Sequence, residues 1–373
     1  MITTSAATAL TDQLGIRLPI IQAPMAGTSS AAMAAEVTSS GGLGSIGIGT
    51  LDVDAAAKLV GEVRARTPGP FNVNVFCHRP AERDPAQEAA WIAYLRPEFD
   101  RLRAAPPAQL GLAFDSFVEN EDMLRLLVRE RPAVVSFHFG LPSQAAIDAL
   151  HDSGCFLLGT ATNLDEARTL VKAGIDGVVA QGHEAGGHRG MFDPDRADEF
   201  LGRVALTRLL VRHVAVPIIS AGGIMDGVGI ACALRLGASA AQLGSAFIAT
   251  DESSASATHR ALLAGAHTVM TRAISGRPAR AIVNRLSTLG MGAPASSIPP
   301  YPIPYAVALA LDAAGRAAGE PGLGAYWAGQ RASLARALPT AELVASLARE
   351  LESAWLQNSV GASNHARTRY CSR

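Results

Sequence analysis

Eight short apolar runs punctuate the first 250 residues: LPIIQAPMAG, LGSIGIGT, FNVNVF, AVVSFHFG, CFLLGTAT, DGVVAQG, VPIISAGG and AAQLGSAF. They show little polar alternation, the pattern of strands buried on both faces of a parallel sheet. Between them lie segments of helical character such as DVDAAAKLVGEVRART, SQAAIDALHDSG and NLDEARTLVKAG. Strand and helix alternating eight times predict an α/β chain folded as a TIM (β/α)8 barrel, whose strand C-terminal ends meet at one mouth.

Helix punctuation agrees with that alternation. Asn163 followed by Glu166 has the spacing of a capping box, and Gly174 stands where a helix-ending glycine belongs. Residues 77–132 are too long for a simple crossover, so they are expected to hold extra helices and, at LGLAF, a short extra strand. The division predicted is a barrel over 1–250, a smaller, mainly helical lid subdomain over 251–350, and a C-terminal helix end with a flexible tail over 351–373. A doubly wound sheet is the rival fold. Its dinucleotide signature G-x-G-x-x-G is missing after the first run, and in GGLGSIG the glycines enter a strand instead of opening a helix.

The bulk composition narrows the function classes. The 373 residues carry 32 basic and 33 acidic side chains for a net charge of −1, so no basic field exists to attract nucleic acid or an anionic membrane. Cys77, Cys155, Cys232 and Cys371 have no zinc-type or redox-type spacing, and no window is apolar enough for a membrane span. A cytoplasmic enzyme acting on small molecules, as a monomer or weak homodimer, is the expectation.

Its chemistry is expected where the runs end. Gly222 and Gly223 close one run, Gly244 and Ser245 close the next, and a helix follows the first pair. Bare amides on the last two strand ends, with a helix N-terminus, suit a phosphate. Asn74 and Gln181 offer amides with both donor and acceptor, matching the edge of a flavin ring, and Pro24 and Met25 would lie beside it. The stretch AQGHEAGGHRG, residues 180–190, sets His183, Glu184, His188 and Arg189 among glycines. A zinc site is disfavoured there because the histidines are five apart across Gly-Gly, not four apart on a helix. His183 is read as a turn or rim residue, and Glu184 with Arg189 as a local ion pair or structural contacts.

Taken in order, IQAPMAG, PFNVNVF, SFHFGLPS, AQGHEAGGHRG, PIISAGGIMDGVGIACALRLGASAAQLGSAF and SGRPARAIVNR resemble the successive motifs of the bacterial class I nitronate monooxygenases, formerly 2-nitropropane dioxygenases. The resemblance runs from about residue 15 to 350. It implies an FMN-dependent TIM barrel that oxidises alkyl nitronates, propionate 3-nitronate among them, with O2 to carbonyl compounds and nitrite through a flavosemiquinone. Carried over by motif, FMN would touch Met25, Asn74, Gln181, Gly186, Gly223 and the run Gln242, Leu243, Gly244 and Ser245, where serine replaces a common threonine. His188 would be the active-site histidine, His138 would line the same pocket, and Tyr301 and Tyr305 would approach substrate. Where the family can carry a lysine for a substrate carboxylate this chain has Leu309, leaving Arg272 and Arg277 as candidates for that role. The same barrel also serves NAD(P)H-dependent FMN reductases of the enoyl-ACP or quinone type, and a flavin-binding module without turnover is a third reading.

Overall fold

The structure, a computed structural model, describes residues 4–367. In chain order the strands are β1 (Ile20–Gln22), β2 (Gly44–Gly47), β3 (Phe71–Phe76), β4 (Val134–His138), β5 (Phe156–Ala161), β6 (Gly177–Gln181), β7 (Gly187–His188), β8 (Ile218–Ala221), β9 (Ala240–Leu243), β10 (Thr268–Thr271) and β11 (Ala279–Ile282). The helices are α1 (Ser5–Leu14), α2 (Ala31–Ser39), α3 (Val53–Arg64), α4 (Pro85–Arg101), α5 (Glu121–Glu130), α6 (Gln144–Asp152), α7 (Leu164–Lys172), α8 (Arg203–His213), α9 (Gly227–Arg235), α10 (Ala257–Leu262), α11 (Arg285–Met291), α12 (Pro304–Ala317) and α13 (Thr340–Arg367).

All eight apolar runs became strands of one parallel sheet, in the order β1-β9-β8-β6-β5-β4-β3-β2. The ends of that sheet meet. Ile21 bridges Leu43 in parallel, and Gln22 N–H donates to the Leu43 carbonyl at 3.0 Å, so the sheet closes into the expected barrel. Helix α1 supplies Leu10 and Leu14, which pack with Ile16 on Ile21, Leu43, Leu158, Val179 and Ile219. Burying that floor leaves the other end of the barrel as the open one.

Side-chain caps fix where the helices begin: Ser30, Asp52, Ser143, Asn163 and Asp226 each accept from a backbone amide in the first turn. Gly174 closes α7 with φ +91°. The capping box at α7 is only half made. Asn163 accepts from Glu166 N–H at 2.9 Å, but the Glu166 carboxylate turns to Thr162 N–H and Oγ1, at 2.7 and 2.8 Å, and to Phe192 N–H at 3.1 Å. Its charge thereby ties the β5 and β6 loops together.

Three features differ from a linear barrel-then-lid layout. Helix α13 returns to the barrel wall, where Leu343, Val344, Leu347 and Leu351 pack on Ile230 and Leu234 of α9 and on Met33 and Val37 of α2. Helix α4 leaves the wall instead: Trp91, Ile92, Leu95 and Phe99 pack with Ile303, Val307 and Leu311 in a cap over the mouth. That cap is mainly helical, but β10 and β11 pair antiparallel within it, and β11 also pairs with β7 from the barrel's own sixth loop. The segment LGLAF is irregular, not a strand. β3 is already paired on both sides, with β2 and β4, so no sheet edge is free to receive it. Helix α13 runs on through residues 358–367 of the segment expected to be a flexible tail, the rest of that tail lies outside the described residues, and no helix among them is long and apolar enough to cross a membrane.

The wall depends on close backbone approach at Gly44, where a Cβ would stand 1.9 Å from the Ala34 carbonyl oxygen of α2. Gly44→Ala is therefore expected to destabilise the chain by about 3 kcal/mol or more. Urea unfolding of the two proteins checks it, and a midpoint unchanged by the substitution would contradict the packing.

Candidate active site

The barrel mouth and the cap enclose a cavity of about 620 Å³, well within the range of cofactor and substrate sites. Met25, Asn74, His138, Gln181, Gly186, His188, Gly222, Gly223, Gln242, Gly244, Ser245 and Tyr305 all line it. Strand ends far apart in sequence thus converge as barrel geometry requires. Leu243 and Tyr301 do not line it. Successive strand residues face opposite ways, so Leu243 points into the core beside Leu18 and Ile20. Tyr301 is buried behind the wall, its ring 5.3 Å from that of His188.

The loop after β6 is built by Gln181 and Arg189. The Gln181 amide donates to the His188 carbonyl at 2.9 Å and accepts from Gly190 N–H at 2.8 Å, while its main-chain carbonyl accepts from Arg189 Nη1 at 2.9 Å. Most of the amide expected to meet a ligand is therefore committed to the loop. Arg189 is 1% exposed and pairs with Asp198 at 2.8 Å. The expected partner Glu184 instead accepts from Arg203 N–H at 2.8 and 3.0 Å, at the start of α8, because it lies across the loop from Arg189. His183 turns away as well, edge-on to Phe200 at 5.0 Å, so it does not converge with His188.

The loop glycines serve protein contacts more than a ligand. A Cβ at Gly182 would stand 2.3 Å from Glu184 Oε2, and one at Gly186 would stand 2.5 Å from the backbone of Ala328 and Gly329. Gly187, at φ +74°, supplies the turn that sends His188 into the cavity. There the imidazole meets Trp327 at 4.9 Å and Tyr305 at 6.1 Å, and its Nε2 lies 2.9 Å from Ser275 Oγ.

The electrostatics keep this centre free of imidazolium. Burial, aided by His138, Arg277 and His78, holds His188 well below the ordinary histidine value. Burial likewise takes His138 and His78 down to about 4. His138 is engaged through both nitrogens: Nε2 donates to the His188 carbonyl at 3.3 Å, which leaves Nδ1 to accept from Thr160 Oγ1 at 3.1 Å. It braces the loop of His188. The fixed positive charge belongs to Arg277, itself lowered to about 10 by burial, which lies 4.3 Å over the Phe139 ring and donates to the carbonyls of Met191 and Phe192. No carboxylate pairs with it among the described residues.

The glycine turns end β8 and β9 as expected, with Gly222 at φ +115° and Gly223 at φ +66°. The N-terminus of α9 does not join them. Asp226 accepts from Gly229 N–H at 2.7 Å and Glu350 from Gly227 N–H at 2.8 Å, so two carboxylates occupy the amides reserved for an anion. A cation that sequence reading missed stands there instead. The Arg331 stem passes 3.7 Å from where a Gly223 Cβ would be, the residue lines the cavity, and its guanidinium has no partner among the described residues. Ser245 Oγ accepts from Gly329 N–H at 2.8 Å, which leaves its own proton to donate. Asn74 spends both amide protons on Ser136, at 3.0 and 2.9 Å, and keeps Oδ1 as an acceptor. The Met25 N–H is taken by Ser29 Oγ at 2.9 Å, so this residue offers the cavity its side chain and not its amide.

Phe76, Phe114 and Trp327 complete the walls, and none carried a signal beyond its apolar character. Arg272 turns outward to Asp195 at 2.8 Å and Arg277 is held behind Phe139; neither lines the cavity. Among the described residues its other charged side chains besides Arg331 are Asp312 and Arg316 of α12, paired at 3.0 Å on the same face as Tyr305 and Leu309.

The chain is similar to known proteins over almost its whole length. The family described as nitronate monooxygenase matches residues 7–350. A nitronate monooxygenase of Paraburkholderia phytofirmans is 53% identical over 92% of this chain and 95% of that protein. One of Pseudomonas aeruginosa is 49% identical over 91% and 97%. Among solved structures, a nitroalkane oxidase from Streptomyces ansochromogenes superposes with a TM-score of 0.85 at 39% identity, over 94% of this chain and 99% of that one. FabK from Thermotoga maritima gives 0.72 at 26% identity, over 97% and 99%.

The neutral histidines make stability depend on pH. An unfolded histidine takes its proton near 6.5, whereas His78 and His138 resist until about 4, so the unfolded state gains protons first as pH falls. Stability is complete above 6.5 and declines below it. His138→Asn, whose amide can still donate to the His188 carbonyl, is expected to reduce the loss between pH 6.5 and 5 by on the order of 1 kcal/mol. Unfolding midpoints at the two pH values test this, and equal losses in both proteins would refute it.

Proposed function

The chain belongs to the nitronate monooxygenase family, and from that premise we propose that it oxidises small alkyl nitronates with O2 to carbonyl compounds and nitrite on FMN. The observation that carries the reading is one cavity in which an unpaired Arg331 and the glycine turns of β8 and β9 accompany an unprotonated His188 walled by Tyr305 and Trp327. Bound FMN supplies the electron acceptor and the centre that reacts with oxygen.

The residues suit that group. The amides of Gly222, Gly223 and Gly244, the Ser245 hydroxyl and Arg331 would hold the phosphate. Asn74 Oδ1 would accept from a ring N–H, the remaining amide proton of Gln181 would donate, and the Met25 and Gln242 side chains would flank the ring. Leu243 contributes only through the backbone.

The chain's own contribution to the reaction is placement and field. The positive charge of Arg277 favours an anion in front of His188. Tyr305 and Trp327 close the space around the substrate carbon, and His188 supplies the nearest proton-accepting nitrogen. Because His188 sits well below its ordinary value, it is a weak base, and a preformed nitronate is the easier substrate than the neutral nitroalkane.

Two experiments test the reading. Aerobic nitrite release should be found with ethyl nitronate, and release from nitroethane, which must first lose a proton, should be lost for the most part in His188→Asn while the protein stays FMN-loaded. Anaerobic bleaching by NADH or NADPH, with none by nitronate, would move the chain to the reductase branch that its likeness to FabK represents. Arg331→Ala is expected to weaken FMN binding about five- to tenfold and leave riboflavin binding unchanged. Titration by flavin fluorescence checks this, and an equal loss for both ligands would remove Arg331 from the phosphate site.

A further inference from the structure

His188 is anchored outside the cavity by a residue that the flavin site does not use. Its Nε2 lies 2.9 Å from Oγ of Ser275, a side chain with no exposed surface. That hydroxyl has two further neighbours, both on Arg277: the carbonyl oxygen at 3.3 Å and the amide nitrogen at 3.5 Å. A serine has one proton to give, and a carbonyl can only accept. If the proton goes to the Arg277 carbonyl, Oγ accepts from both the Arg277 amide and His188 Nε2–H, and every group is satisfied. If it goes to Nε2 instead, the carbonyl has no donor among the described residues, at a residue that is 3% exposed. An orphaned buried carbonyl costs about 1–3 kcal/mol, enough to decide a tautomer equilibrium.

We infer that Ser275 fixes the tautomer of His188, taking the proton on Nε2 so that the ring turns its Nδ1 lone pair to the cavity. The other ring nitrogen agrees: Nδ1 makes no hydrogen bond among the described residues, and the ring lines the cavity. The titratable groups facing the ring are His138 from β4, His78 after β3, Arg277 before β11, and Tyr301 and Tyr305 at α12. None of them has a hydrogen bond to Nδ1.

This gives the chain a way to use neutral nitroalkanes, an extension that rests on the nitronate reading. Nδ1 takes the α-proton, the C–H electron pair becomes the C=N bond, and the charge moves onto the nitro oxygens. His188 ends as imidazolium with its Nε2–H still on Ser275. A preformed nitronate has already lost that proton and does not need the step. Ser275 is thus a positioning residue whose effect is felt through His188 and is larger for the carbon acid than for its anion.

The test is a long-range proton–nitrogen NMR spectrum of the FMN-loaded enzyme labelled with ¹⁵N-histidine, His188 being assigned by its loss in His188→Asn. The wild type should show Nε2 protonated and Nδ1 bare. Ser275→Ala should shift the ring toward Nδ1–H, and Ser275→Thr should restore it. The ratio of kcat/KM for nitroethane to that for ethyl nitronate should fall about tenfold in Ser275→Ala. An Nδ1–H ring in the wild type, or an unchanged ring in Ser275→Ala with both substrates falling together, would overturn the assignment. If the wild type oxidises no nitronate the function proposed above fails, and the NMR spectrum still decides the role of Ser275.

Discussion

The barrel mouth depends on how β6 hands the chain to the loop beyond it. Ten residues, 181–190, leave the sheet without forming a helix, so their buried backbone groups need partners other than each other. Gln181 supplies two through its side chain, and Arg189 supplies a third by reaching back to the Gln181 carbonyl. Arg189 in turn can remain buried only because Asp198 neutralises it. Breaking such a pair typically costs about 3–5 kcal/mol, since a bare charge is left inside. With these bonds in place Gly187 and His188 become a strand for β11, and the cap is drawn over the mouth by main-chain pairing. Site and cap therefore share one anchor.

Electrostatic character follows from the same closure. Three histidines lie near one another around the mouth, and burial discourages each from taking a proton. The fixed positive charge behind them is that of Arg277 instead, whose guanidinium keeps its proton at neutral pH even in a buried place. Its desolvation is offset by the Phe139 ring and by carbonyls of the loop after β7. A charge held this way does not vary over the physiological range, whereas an imidazolium would.

Much of this was legible in the sequence. The eight strands could be read because a parallel barrel buries both faces and so leaves unbroken apolar runs, and the glycines ending β8 and β9 could be read because turns with φ above zero favour that residue. What escaped were relations between distant segments. The resemblance implied an FMN contact at Gly186, but Gly182 and Gly186 make room for Arg203 and for residues 328–329. The carboxylates that occupy α9's first amides include one from Glu350, 123 residues away. Ser275 and Arg331 carried no local signal, because each matters only through what the fold sets beside it.

The segment from Gly324 to Arg331 shows why a barrel alone could not have made this site. It leaves the cap, pairs with β11 through Trp327 and Ala328, and passes over Gly186 with no room for a side chain there. Gly329 then binds Ser245 Oγ at the end of β9, and Gln330 N–H binds the Glu184 carbonyl in the β6 loop. One stretch of chain therefore lays Trp327 against His188 and, four residues on, Arg331 against the glycine turns. A cation and an aromatic wall carried on one short segment are positioned together, which suits the FMN proposed for this cavity, whose ring and phosphate would have to be met at once.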